Sequence, residues 1–147
     1  MDRIYFQSKG AEDFRFLSNF HRSVFRDGTS GIVWQSVEHY YQSQKALDCD
    51  EFVWVASSAT PKLARQRGQK VKTREDWDVV KEDVMREALG FKFRQSEDLK
   101  KMLLMTEGFE LYEWAPWDGY WGTGKDGNGK NRLGILLMEL REQLKKE

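Results

Sequence analysis

Three features of this 147-residue chain predict an α+β fold, a single compact helix-dominated domain over residues 1–147 with a few short strands. Capping residues stand ahead of helix-period apolar stretches. Apolar/polar alternation is confined to runs of a few residues. No regular β-α-β alternation occurs, so a doubly wound parallel sheet is not expected.

In chain order, Arg3–Phe6, the segment around Val24–Phe25, and Ile32–Trp34 read as short strands. A helix is expected from about Ser36 to Leu47, and a shorter one over Asp50–Ala56. Thr60 followed by Pro61 gives an N-cap with proline at the first helical position, and Gly68 stops that helix. Thr73-x-x-Asp76 reads as a capping box. The helix it opens carries Trp77, Val80, Val84 and Ala88 on one face and is expected to end at Gly90. Ser96 caps a helix with Leu99, Met102 and Leu103, and Phe109, Leu111 and Glu113 alternate as in a strand. A Trp/Gly loop follows. The last helix places Leu133, Leu136, Leu137, Leu140 and Leu144 on one side.

Composition narrows the function. The 24 basic and 24 acidic residues cancel, which argues against coating DNA by bulk charge and favours a small-molecule ligand. A mean hydropathy of -0.74 and the lack of a long apolar run argue against membrane insertion. The opening MDRIYFQSKG has no apolar core of a secretory signal, and the lone Cys49 has no disulfide partner in the chain. Both fit a cytoplasmic protein. Six Trp, five Tyr and nine Phe either fill the core or face a planar ligand.

Three segments carry candidate chemistry. In Val37-Glu38-His39-Tyr40-Tyr41-Gln42-Ser43-Gln44-Lys45, the residues Glu38, Gln42 and Lys45 recur at i, i+4 and i+7, one helical stripe. Glu38 and Lys45 then lie about 10 Å apart along the axis, and both side chains can reach one small ligand between them. A carboxyl group and an amine supply acid/base chemistry and a nucleophile. The plainer alternative is a solvated charged face. His39 lacks a second histidine four residues on, since position 43 is serine, so no metal is expected and a packed histidine is the default.

The second segment runs from Trp114 to Asn131. Gly122, Gly124 and Gly127 match G-x-G-x-x-G, but no strand of a βαβ unit precedes them. Gly124 through Lys130 approaches a Walker A loop, but Asn131 stands where Ser or Thr holds magnesium. Counted from Asp126 as an EF-hand, position twelve is Leu137. What survives is a loop whose glycines admit close backbone approach to a ligand, ahead of a helix N-terminus that attracts anions. Its tryptophans can stack on a base, and Asp118 can hold a sugar. The third segment, Lys62 to Arg74, has six Lys or Arg in thirteen positions and suits phosphate.

With these segments in view, the chain resembles the NADAR proteins, also called the YbiA-like family. The resemblance rests on Phe16-Leu17-Ser18-Asn19-Phe20 and on Val37-Glu38-His39-Tyr40-Tyr41-Gln42 with Lys45. It continues through Arg74-Glu75-Asp76-Trp77-Asp78, Val84-Met85, Lys92-Phe93 and Gln95. In the last third it includes Leu103-Leu104-Met105-Thr106, Asp118-Gly119-Tyr120-Trp121-Gly122-Thr123-Gly124, Gly127, Gly129, Asn131, Leu133-Gly134 and Leu137-Met138. These motifs span about Phe14 to Arg141. Two positions depart. His21-Arg22 replaces an aromatic residue and a proline, and Gln69 replaces an arginine, with Lys70 next to it as the substitute phosphate contact.

The resemblance implies a YbiA-like fold and an N-glycosidase without cofactor. Family substrate classes are phosphoribosylamino-pyrimidine intermediates of riboflavin synthesis and ADP-ribosyl groups on guanine. Each has ribose on an exocyclic amine. The expected partner is therefore a small-molecule ribosylamine or ADP-ribosyl substrate, with ADP-ribosylated nucleic acid as a further candidate. On this reading Lys45 is the nucleophile, forming a Schiff base, and Glu38 is the general acid/base. Asp118 holds ribose hydroxyls or shares proton transfer. Trp77 and Trp121 stack on the base or wall the pocket. Asn19, Gly122, Gly124 and Asn131 contact sugar and phosphates, and Arg65 and Lys70 contact phosphate. Lys45 should be partly buried, because desolvation lowers an amine's pKa while an ionised Glu38 opposes that shift. Two alternatives stay open: a carboxylate pair of Glu38 and Asp118, and a non-catalytic module binding ADP-ribose or a nucleotide.

Overall fold

The computed structural model describes residues 2–147. The elements are β1 (Asp2–Phe6), a 3-10 turn (Glu12–Leu17), β2 (Phe25–Arg26), β3 (Val33–Trp34), α1 (Val37–Gln44), α2 (Cys49–Ala56) and α3 (Pro61–Gly68). They continue with α4 (Trp77–Arg94), α5 (Glu97–Leu104), β4 (Phe109–Glu113) and α6 (Arg132–Lys146). Helices dominate and the strands are short, as the α+β expectation has it. No described helix is long and apolar enough to cross a membrane. The chain forms two compact units, one of residues 1–21 with 96–147 and one of residues 22–95.

In the first unit, β1 and β4 pair in parallel, with Ile4 opposite Leu111 and Phe6 opposite Glu113. The alternation of β1 turns Ile4 and Phe6 inward and leaves Tyr5 exposed. Helix α6 lies against β4 and α5 against α6. Leu133, Leu136, Leu137, Leu140 and Leu144 are all buried, so the apolar face read from the sequence is the face that packs. Arg141, on the same helix, is also buried, and its guanidinium donates to the Thr106 and Phe109 carbonyls, each at 2.9 Å.

The second unit is built around α1, which contacts α2, α3, α4 and β3. Val55, Ala64 and Val71 form a small core, with Ala46 packed against it. Four helix starts share one device: Ser36, Asp48, Thr60 and Ser96 each accept the backbone N–H three residues on.

Several expectations need correction. Helix α1 stops at Gln44 rather than Leu47, because Ala46 instead bridges Thr73 and the Leu47 N–H donates to the Lys72 carbonyl. Thr73 is thereby held in an extended pairing and caps nothing. Helix α4 begins at Trp77 after Asp76, without a side-chain cap, while Asp76 receives both arms of Arg74 at 2.6 and 2.9 Å. Gly90 does not end α4. It is buried mid-helix and the helix runs on to Arg94, because Phe91 stacks on Phe25 and Phe93 is fully buried. That tertiary burial outweighs the roughly 1 kcal/mol that glycine costs a helix.

Candidate functional site

The α1 stripe forms as its period requires. Glu38 and Gln42 are buried, each 7% exposed, and the Gln42 amide Nε2 donates to Glu38 Oε1 at 3.2 Å. Lys45 occupies the C-cap with helical backbone angles, so it keeps its place on the stripe. The chain around it is pinned, since the Lys45 N–H donates to Gln42 O and the Arg74 N–H donates to Lys45 O at 2.9 Å. The Lys45 amine is half-buried, and this desolvation pulls its pKa below the usual lysine value. The charge of Glu38 pulls the other way and does not cancel the effect. A desolvated amine and a buried carboxyl group on one helix can share protons and attack an electrophilic carbon.

His39 is structural. Its Nε2 lies 2.9 Å from the Ser58 carbonyl, which can only accept, so Nε2 carries the proton. Nδ1 then accepts from the Ser36 hydroxyl at 2.8 Å, and Ser36 Oγ in turn accepts the His39 N–H at 3.2 Å. Both ring nitrogens are engaged, and the ring ties α1 to the loop after α2.

Of the other predicted residues in this unit, Trp77 is buried and its ring sits 5.1 Å from that of Tyr41, tilted by 57°. Arg65 is half-buried on α3 and Lys70 is exposed just beyond it. The basic run is partly committed elsewhere. Arg67 lies over the Trp54 ring at 4.9 Å and donates to the Trp54 carbonyl, and Arg74 is clamped to Asp76. Lys92, named above only among the family motifs, is fully buried, with its amine 5.0 Å from the Phe93 ring centroid. Burial alone brings that amine down to about 7. A signal existed: Lys92 follows Met85, Ala88 and Leu89 at i+7, i+4 and i+3, on the apolar face.

In the other unit, Asn19 is buried just after the 3-10 turn. The Trp/Gly loop is folded on itself. Asp118 Oδ1 accepts the backbone N–H groups of Tyr120 and Trp121, each at 2.9 Å, while Oδ2 makes no hydrogen bond among the described residues. Trp121 is buried edge-on to Tyr120, whereas Trp114 and Trp117 stand exposed in a perpendicular pair.

The loop's glycines and the helix start that follows are both engaged by the loop itself. Gly124 is left-handed (φ 71°), and its N–H donates to both Ala115 O and Asp118 O. A Cβ at Gly122 would meet Glu113 O at 2.9 Å and Ala115 Cβ at 2.7 Å. These glycines let the loop approach its own backbone. The anion site expected at the start of α6 is filled by loop carbonyls. The N–H groups of Asn131, Arg132 and Leu133 donate to Gly122 O, Tyr120 O and Trp121 O. Asn131 accepts the Glu113 N–H on Oδ1 at 3.0 Å and donates Nδ2 to Leu111 O at 2.9 Å, so its amide fastens the loop to β4.

The model of the NADAR domain matches residues 5–145. The chain is 43% identical over 136 residues to the N-glycosidase YbiA of Shigella flexneri serotype 5b, covering 91% of this chain and 84% of that protein. It is 39% identical over 143 residues to the Riboflavin biosynthesis protein VVA0006 of Vibrio vulnificus, covering 96% of this chain and 38% of that protein. Its fold matches the NMR structure of the E. coli protein YbiA with a TM-score of 0.86 and 41% identity, over 97% of this chain and 84% of that one. The chain belongs to the NADAR domain family and, with it, to the N-glycosidase class of hydrolases.

Proposed function

We propose that the chain hydrolyses the bond between ribose C1 and an exocyclic amine of a base, with Lys45 as covalent nucleophile and Glu38 as general acid/base. The observation that carries this is the pair itself: a buried carboxyl group and an amine made easier to deprotonate by burial, on one stripe of α1. Binding alone requires neither.

Protonation of the ribose ring oxygen by Glu38 opens the ribosylamine to an imine between C1 and the base nitrogen. The neutral Lys45 amine adds to C1. Loss of the base amine, which takes up a proton, leaves C1 joined to Lys45 as a Schiff base. Water adds to that imine, the Lys45 amine departs, and the sugar is released as its aldehyde, which recloses. Glu38 returns to its starting protonation state after passing protons in each direction.

Two substrate classes fit this chemistry, a phosphoribosylamino-pyrimidine and ADP-ribosylated guanine. The name of the V. vulnificus relative supports the first. The balanced net charge supports a small molecule over a nucleic-acid strand. Arg65 and Lys70 are the proposed phosphate contacts, and Asp118, through its uncommitted oxygen, the proposed contact for ribose hydroxyls.

The test is a product assay on both compounds. Release of free ribose phosphate or ADP-ribose with the intact base supports the proposal. A ligand-induced rise in melting temperature without release of sugar from either compound overturns it in favour of a binding module.

A further inference from the structure

We propose that Gln42 is a positioning residue for Glu38 and that Gly68 holds it there. The inference rests on Glu38 acting as the acid/base group, and adds what keeps that group in place.

Gln42 lies one turn beyond Glu38 on α1 and donates Nε2 to Glu38 Oε1 at 3.2 Å. Its other end, Oε1, is buried and has no hydrogen-bond partner among the described residues. An amide buried with its oxygen unsatisfied carries a cost. Turning the amide over would set Oε1 against a carboxylate oxygen, which repels it. The orientation is therefore dictated from the Glu38 side.

The opposite wall is Gly68, the last residue of α3. A Cβ built on Gly68 would collide with Gln42 Oε1 and would stand 2.9 Å from both Cβ and Cδ of the same side chain. All three nearest atoms belong to Gln42, so α3 closes on this one side chain. Glycine is required at position 68 by this approach, since the backbone is not left-handed there. The amide is confined between the α3 backbone and the Glu38 carboxyl group. Glu38 thus gains a fixed donor from its own helix, and its rotation about the terminal torsion is limited. Neither Gln42 nor Gly68 needs to touch the substrate.

The experiment is steady-state and single-turnover kinetics with whichever ribosylamine the chain cleaves, on Gln42→Met, Gly68→Ala, Glu38→Gln and the double variant Glu38→Gln with Gln42→Met. Methionine keeps the length of glutamine without the donor. Gln42→Met is expected to lower kcat by roughly 10- to 100-fold, as a misplaced catalytic group does, with KM within about twofold. Gly68→Ala, which displaces the same amide from the other side, is expected to reproduce that split. In the Glu38→Gln background, Gln42→Met should change kcat by less than about twofold, because its effect runs through the carboxylate. Full activity in both Gln42→Met and Gly68→Ala overturns the proposal. So does a Gln42→Met loss of equal size in both backgrounds, which marks a purely structural role. If Gln42→Met fails to fold, Gly68→Ala decides alone, by the same kcat and KM criteria. Failure of the underlying reading looks different: Glu38→Gln itself then keeps normal turnover, and the positioning role falls with it.

Discussion

Asn131 donates its side-chain Nδ2 to the carbonyl of Leu111, 2.9 Å away and twenty residues earlier in the chain. It does so from a left-handed backbone (φ 50°, ψ 43°), which asparagine tolerates better than most residues. The same amide accepts the Glu113 N–H, so one side chain satisfies two backbone groups of β4 and sets where α6 begins.

Replacing Asn131 by alanine removes both bonds. Each buried backbone group left unpaired costs about 1–3 kcal/mol. Asn131→Ala should therefore lose roughly 2–6 kcal/mol of stability on that basis, measured by urea unfolding. A loss below about 0.5 kcal/mol, the ordinary range for surface changes, would show that water replaces the amide and that Asn131 is available for another role.

Glu38→Gln keeps the side-chain shape and removes the titrating group. The fold and most of the ligand affinity should persist, while turnover falls by on the order of 10²–10⁴. Circular dichroism, ligand titration and turnover on one preparation check this. An unfolded variant would place Glu38 in a structural network instead.

Lys45→Arg keeps a positive charge but cannot form the imine, so it should abolish turnover and allow binding. In the unsubstituted protein, borohydride added during turnover should trap a ribosyl adduct on Lys45, read by intact mass. Because burial holds the Lys45 pKa below its usual value, the neutral amine grows as pH rises toward that lowered pKa, and the covalent step should quicken accordingly. Near-normal turnover in Lys45→Arg with no adduct points to direct attack by water.

Asp118→Asn retains an oxygen for the Tyr120 and Trp121 N–H groups and discards the charge on Oδ2. The loop should keep its shape and KM should rise if that charge meets ribose hydroxyls. Asp118→Ala should in addition lower the melting temperature, since both loop bonds go. Unchanged KM in Asp118→Asn would restrict Asp118 to shaping the loop.

Lys92 gives a stability signature. Its amine is at about 7 in the folded chain against 10.5 for an ordinary lysine. Between those values the unfolded chain binds more protons than the folded one, so this group makes stability rise with pH from about 7 to about 10.5. Below that window both states are protonated and the cost of the buried charge is present in full. Lys92→Met should remove this contribution, leaving a flatter stability profile between pH 7 and 9 in urea titrations. Identical slopes in the two proteins would mean that Lys92 stays charged when buried.

The features legible in the linear chain are local ones. Ser36, Thr60 and Ser96 cap the helices they precede, because a cap needs only a side-chain oxygen and an N–H three residues on. The Glu38, Gln42 and Lys45 stripe was legible for the same reason: helical period alone puts these residues on one face. The family motifs identified the chain because they are spread in order along nearly all of it. Other features depend on partners distant along the chain. Parallel pairing of Asp2–Phe6 with Phe109–Glu113 joins segments with residues 7–108 between them, and no local pattern encodes which strand meets which. Gly90 continues α4 because aromatic packing across the unit outweighs its weak helix propensity. Thr73 is drawn from its capping role into a bridge with Ala46, and the loop carbonyls of Tyr120 and Trp121 occupy the N–H groups at the start of α6. In each case a hydrogen bond or buried ring from a remote segment competes with a local preference worth about 1 kcal/mol or less, and at that magnitude the remote contact wins.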